Sequence, residues 1–169
     1  IEVAQTQCVA GERWKWDGII FRIIHPRRDA PWTGNNSSCV LEIDTGSEKI
    51  LLAGDIESPV EQLLAHRAAF RQSHAVFVPH HGSKTSSGPA LIDSTRPEIA
   101  VISAGYDNRW GFPKDDVVQR WQQAGATVLN TANSGAISQR LCRHEPPGPV
   151  LEERSRSAKY WHNLVPERP

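Results

Sequence analysis

The hydrophobic period changes once along this chain, and that change constrains the fold more than any other feature. Up to Ala53 the apolar residues come in strand-like runs joined by turns; beyond Ser58, short apolar runs alternate with segments of helical period. Gly18 to Ile24 (GIIFRII) is β-branched and aromatic and follows the turn-like Trp16-Asp17-Gly18, so a strand is expected. Cys39 to Ile43 and Lys49 to Ala53 flank Asp44-Thr45-Gly46-Ser47, which predicts a hairpin.

After the change, Val60, Leu63, Leu64, Ala68 and Phe70 fall on one helical face, with Ser58 as N-cap, Pro59 in the first helical position and an end near Ser73. Short strands follow at Ala75 to Val78 and Ile99 to Ser103, with a helix around Gly88 to Ser94 between them. Lys114 to Ala124 carries Val117, Val118 and Trp121 at helical spacing and closes on Gly125, a good residue just past a helix end. Thr127 to Leu129 and Ala136 to Gln139 read as the last strands. The fold class is therefore mixed α/β (α+β), with several antiparallel pairs.

A chain of 169 residues fits one domain, expected over 1–143. Residues 144–169, proline-rich and charged, read as an extended tail with a docking point at Tyr160-Trp161. The 19 basic and 19 acidic side chains cancel, so overall charge predicts no attraction to nucleic acid or anionic membrane, and any DNA contact must be local. No run reaches the roughly 18 apolar residues of a membrane span, so the segment itself is expected to be soluble. Cys8, Cys39 and Cys142 are widely spaced and form no CxxC pattern, which suggests free thiols rather than a disulfide framework or a zinc site. The chain contains no methionine and opens on Ile1-Glu2-Val3, so a segment of a longer protein is expected.

Polar clusters follow or flank the strands: His25, Asn35-Asn36, Gly54-Asp55-Ile56-Glu57, His80-His81-Gly82-Ser83 and Asn108-Arg109-Trp110-Gly111. If those strand ends converge, Asp55 with His80 or His81 supplies the oxygen and nitrogen donors that Zn²⁺ or Mn²⁺ takes in a hydrolytic centre. Gly82 to Ser87, with backbone N–H groups, hydroxyls and Lys84, suits a phosphate. Plain alternatives stand beside each reading. Asp55 suits a strand-to-helix turn, the histidines suit a surface imidazole and one bonded to backbone, and Ser83 to Ser87 suits helix capping. His66, His144 and His162 read as surface residues. Trp14, Trp16, Trp32 and Trp110 can stack on bases or serve in packing.

The succession NNSSCVLEI, KILLAGDIE, VPHHGSKTSSG, AVISAGYDNRWGFP and NTANSGAI resembles the later part of the metallo-β-lactamase-like domain of the ComEC family of bacterial competence proteins. The resemblance runs in order from about Cys8 to Ile137. It implies an αββα sandwich, of which this chain carries the C-terminal half, in a channel protein of the bacterial cytoplasmic (inner) membrane. It also implies hydrolysis of DNA phosphodiester bonds in the strand that is not imported.

Carried over by position, Asp55, His80 and His81 match metal-side residues, with Asp55, His81 and Lys84 in catalytic roles. Ser83, Lys84, Thr85 and Asn108 lie on the substrate side. The implied cofactor is a divalent metal, Zn or Mn, and the implied partners are DNA (single strand or duplex) and the rest of the parent channel protein. Self-association of the half domain is an alternative cover for its exposed sheet face.

Departures from the family pattern weigh against activity. The HxHxDH motif is absent, Phe112 stands where the family has a histidine, and Asn35-Asn36 sits where related hydrolases place another. The isolated chain is therefore expected to bind metal weakly or not at all and to be weakly active or inactive. Two other functions remain open at this point: a metal-deficient DNA-guiding or assembly module, and a metallo-hydrolase of a small phosphoester or lactone.

Overall fold

A computed structural model of the chain describes residues 7–157. Seven strands form one sheet in the order β1 (Arg13–Trp16), β2 (Ile19–His25), β3 (Val40–Asp44), β4 (Lys49–Leu52), β5 (Ala75–Phe77), β6 (Ile99–Ile102) and β7 (Thr127–Asn130). Spatial order equals chain order. The first four strands form an antiparallel meander, and β4 to β7 are parallel. Parallel neighbours need crossovers, and the helical-period segments supply them: α1 (Ser58–His66), α2 (Pro89–Thr95) and α3 (Asp115–Gln123).

All three helices contribute to one core. Val60, Leu64, Leu91, Ile92, Val117 and Trp121 pack with Leu51, Val76, Ala100 and Ile102 of the sheet. Side chains alternate between the faces of a sheet, so the row Trp14, Phe21, Ile43, Ile50, Ala75, Ile99 lies on the opposite face. Part of that face is covered near Ala75, Ile99, Val101 and Leu129 by Ile137 and Val150. Elsewhere it is open: Phe77 is 41% exposed, Trp14 44% and Trp16 72%. One helical layer on one sheet is half of an αββα sandwich, and the uncovered apolar face is where such a half needs a partner layer.

Several local expectations are corrected. The helix from Ser58 ends at His66, well before Ser73, because Ala68 turns left-handed (φ 49°) and the N–H groups of Ala68 and Ala69 close on the carbonyls of Ala65 and Leu64. That closure normally uses glycine, so the sequence hides it. Glu57, rather than Ser58, is the N-cap, and Ser58 Oγ donates to the Thr85 carbonyl at 2.9 Å.

Strand β1 is a further addition. It is an edge strand whose alternating Arg, Trp, Lys and Trp are all exposed, and Trp14 stacks on Phe21 across the pair. Cys8 and Cys39 are joined in a disulfide, correcting the expectation of free thiols there; Cys142 remains free. Residues 10–11 bond back to Ile23 and Pro26, while Val40 pairs with His25, so the fold brings together cysteines 31 positions apart, their Cα atoms separated by 6.1 Å.

After β7 come α4 (Thr131–Ser134) and β8 (Ile137–Ser138). Strand β8 pairs with β9 (Leu151–Glu152), and α5 (Glu153–Arg156) packs on α4. The start of the expected tail thus folds back on the sheet instead of extending, since Val150 and Leu151 are apolar residues at a site of pairing. Tyr160, Trp161 and His162 lie outside the described residues. No helix among the described residues is long and apolar enough to cross a membrane.

Candidate functional site

Strands β2, β4, β5 and β6 all end on one edge of the sheet, because β2 and β4 are both antiparallel to β3 and β4 to β6 are parallel. In parallel-sheet folds ligands bind beyond such carboxyl ends. His25, the 3₁₀ turn Gly34–Ser37 that leads toward β3, Gly54 to Glu57, His80 to Thr85 and the 103–113 loop therefore share this edge.

The double histidine is held in unusual backbone. His80 (φ 50°) and His81 (φ 54°) are both left-handed, which costs a non-glycine residue of order 1 kcal/mol. Neighbouring glycines hold the turn in place. The Gly54 carbonyl accepts the His80 N–H at 3.0 Å. At Gly82 (φ 80°) a Cβ would lie 2.6 Å from Pro113 Cβ, and the Gly82 carbonyl accepts the Lys114 N–H at 3.0 Å.

Hydrogen-bond partners separate the two imidazoles. His81 Nδ1 lies 2.7 Å from the Ser103 carbonyl, which can only accept, so the proton is on Nδ1. In the neutral ring the lone pair is then on Nε2, 3.7 Å from Asp55 Oδ1. His80 faces inward. Thr85 Oγ1 donates to Glu57 Oε1 at 2.7 Å, leaving Thr85 Oγ1 and that carboxylate, both 3.3 Å from His80 Nδ1, to accept the imidazole proton. The amide of Asn35 then donates to His80 Nε2 at 3.3 Å.

The cleft in front of these groups has a volume of about 400 Å³ and is lined by Asp55, both histidines, Asn108, Trp110 and Phe112. Phe112 packs edge-on against His80 and stacks on His81, with ring centroids 5.9 and 6.4 Å away. A structural or catalytic zinc takes at least three protein ligands. Asp55 Oδ1 and His81 Nε2 supply two, Asn35 caps the free nitrogen of His80, and Phe112 brings only hydrocarbon. Among the described residues no group of three or more His, Cys, Asp or Glu is placed to hold a metal ion. The donors among the described residues do not by themselves fit a complete metal centre.

The serine end of the same segment is closed. Ser86 Oγ donates to the carbonyls of Pro79 and Ser83 and is fully buried. The N–H groups of Ser87 and Gly88, at the start of α2, point at the two oxygens of Glu61 at 2.6 and 2.7 Å. The cradle that sequence reasoning offers to phosphate thus holds the protein's own carboxylate. Arg120 clamps the same turn by donating to the carbonyls of Ser86 and Ser87. Burial pushes the Glu61 carboxyl up to about 7, against the pull of the Gly88 and Ser87 N–H groups and the Arg120 guanidinium.

Of the residues singled out by sequence, Asp55, His80 and His81 meet at the cleft. Ser83 and Thr85 bond to each other behind His80, at 3.1 Å between hydroxyls. Lys84 is exposed beside them. Asn108 lines the cleft, but its amide braces the loop, donating to the carbonyls of Gly105 and Phe112 and accepting the Phe112 N–H. Sequence reasoning missed Glu57, which joins Asn36, Thr85 and His80, and the buried Glu61. Glu57 was visible as part of the GDIE cluster. Glu61 was not, because a glutamate on a helix reads as solvent-exposed.

The metallo-β-lactamase superfamily model matches residues 7–106. "Recombination protein 2" of Haemophilus influenzae is 38% identical over 133 residues, 79% of this chain and 17% of that protein. "Competence protein ComA" of Neisseria gonorrhoeae is 34% identical over 158 residues, 93% of this chain and 22% of its own length. "Uncharacterized protein YcaI" of Escherichia coli is 41% identical over 130 residues, 76% of this chain and 17% of that protein. The chain thus spans about a fifth of the curated relatives it matches, and it belongs to the metallo-β-lactamase superfamily, within the ComEC family of competence proteins.

Proposed function

We propose that this chain works within a ComEC-type DNA-uptake protein of the bacterial inner membrane, where the Asp55–His81 pair acts on phosphodiester bonds of the strand that is not imported. The names of the relatives, a recombination protein and competence proteins, support DNA as the substrate. The observation that carries the reading is the His81 imidazole, with Nδ1 fixed on Ser103 and Nε2 presented to an open cleft beside Asp55.

On this reading Nε2 takes the proton of the attacking water, and the Asp55 carboxylate stabilises the positive charge this creates. Lys84 draws the phosphate to the edge, while Ser83, Thr85 and Asn108 serve by holding the walls. Superfamily membership suggests divalent-metal binding in general. Zinc or manganese would need ligands beyond Asp55 and His81, supplied by the remainder of the parent protein, which also covers the open sheet face.

The test uses the full-length parent protein in membranes, with labelled DNA. Asp55→Ala and His81→Ala are each expected to lower nucleotide release by about 100-fold or more. Release unchanged in both variants overturns the reading. A second reading, a DNA guide without chemistry, is favoured by one observation: Phe112 lies against both imidazoles. It predicts no nucleotide release attributable to this site even in the unaltered protein, with uptake intact.

A further inference from the structure

A second cleft opens beside the first, between the 25–32 loop and the C-terminal end of α1. Its volume is about 340 Å³, and its walls include His25, Arg27, Asp29, Trp32, Leu63 and Arg67. That is the lower end of the range for small-ligand sites and the scale of a single nucleotide. The 3₁₀ turn links residues of the two clefts: Asn35 bonds to His80 of the first, and the carbonyl of Asn36 accepts from His25 Nε2 of the second at 2.8 Å.

The charges in this cleft do not cancel. Arg27 is paired in a two-pronged bridge with Asp29, both contacts being 3.1 Å. The Arg67 guanidinium has no hydrogen-bond or ion-pair partner among the described residues, yet its charge is felt on both sides of the cleft. The Arg27 bridge holds the Asp29 carboxyl below the usual range, with Arg67 adding the smallest share, and burial holds the His25 imidazole low, with Arg67 again adding a little. With His25 kept from charging, the cleft carries one uncompensated positive charge. Beside that charge lies the indole of Trp32, packed on the core from below and fixed at 6.1 Å from the His25 ring.

An unpaired guanidinium next to a fixed flat ring is the pairing that holds single-stranded nucleic acid: charge for the backbone, ring for the base. We propose that this cleft binds one nucleotide of single-stranded DNA, its phosphate on Arg67 and its base on Trp32, adjacent to the Asp55–His81 cleft. The proposal rests on DNA being the substrate and adds where the strand is held. A duplex does not suit it, because a base must leave its stack to reach Trp32.

The experiment titrates the full chain against a fluorescein-labelled twelve-nucleotide oligothymidylate and follows anisotropy from low to moderate salt. Arg67→Ala is expected to weaken binding by about tenfold and to reduce the slope of log affinity against log salt by about one. Arg67→Lys should keep the slope. Trp32→Ala should weaken binding by about tenfold with the slope unchanged. Arg156→Ala, which removes an exposed arginine on α5 paired with Glu153, should leave both quantities as they were. Circular dichroism confirms folding, and Arg67, being exposed, provides the decisive variant if Trp32→Ala unfolds.

No binding by the unaltered chain, or a loss in Arg67→Ala no larger than in Arg156→Ala, overturns the subsite. The hydrolytic reading fails separately. If Arg67→Ala loses the oligonucleotide while Asp55→Ala leaves nucleotide release in the parent protein intact, the subsite stands and the catalytic pair does not. The reverse pattern keeps the pair and removes the subsite.

Discussion

The segment from Pro79 to Gly88 contains two opposite solutions to the problem of polar groups at a strand end. Its histidine end is strained and open, with one imidazole nitrogen facing a cleft. Its serine end is buried and closed, with the Ser86 hydroxyl matched by carbonyls and the Ser87 and Gly88 N–H groups by Glu61. Ten residues thus divide into a part kept available for ligand and a part that holds it steady. A run of polar residues next to a possible site does not all belong to the ligand.

Removing Glu61 gives the largest break in this contrast. Glu61→Ala leaves two buried N–H groups without acceptors and should lower the unfolding free energy by about 3 kcal/mol in urea denaturation. Asp55→Ala, at the open end, should change it by less than about 0.5 kcal/mol. Equal losses would mean that the two ends are not different in kind.

The next effect is in pH. Burial pushes the Glu61 carboxyl up to about 7 in the folded chain from its ordinary 4.5, so the folded state binds its proton more tightly. The stability this contributes is fully present below about pH 4.5 and is lost as pH rises through about 7. Relative to Glu61→Gln, which does not titrate, the unaltered chain should therefore lose up to about 3 kcal/mol across that window. Parallel urea midpoints for the two chains from pH 4.5 to 7.5 would contradict this.

The smallest effect isolates the strain at the open end. His81→Gly and His81→Ala both delete the imidazole, but only alanine must still hold φ near 54°. The glycine variant should be the more stable of the two by about 1 kcal/mol in thermal or urea unfolding. If alanine is equally stable, the left-handed turn is not a source of strain.

What could be read from the sequence follows the range of the interactions involved. The hairpin around Asp44 to Ser47 and the helix closing on Gly125 are written in neighbouring residues, and they form as expected. Asp55 and His81 could be paired on paper because both directly follow strands, although their meeting needs β4, β5 and β6 to be parallel. The Cys8–Cys39 bond, the Glu61 cradle and the Arg67 cleft depend on pairings 26 or more positions apart, with no local mark at either partner. Strand β1 escaped notice because its RWKW pattern lies at an edge where neither face is buried.

Gly82 gives the histidine turn a mechanical partner. Because Pro113 sits where a side chain at 82 would be, and the Lys114 N–H is tied to the Gly82 carbonyl, the turn and the Phe112 loop are packed as one unit. The Phe112 ring and the backbone that aims the imidazoles are thus tied to each other at two points outside the strands.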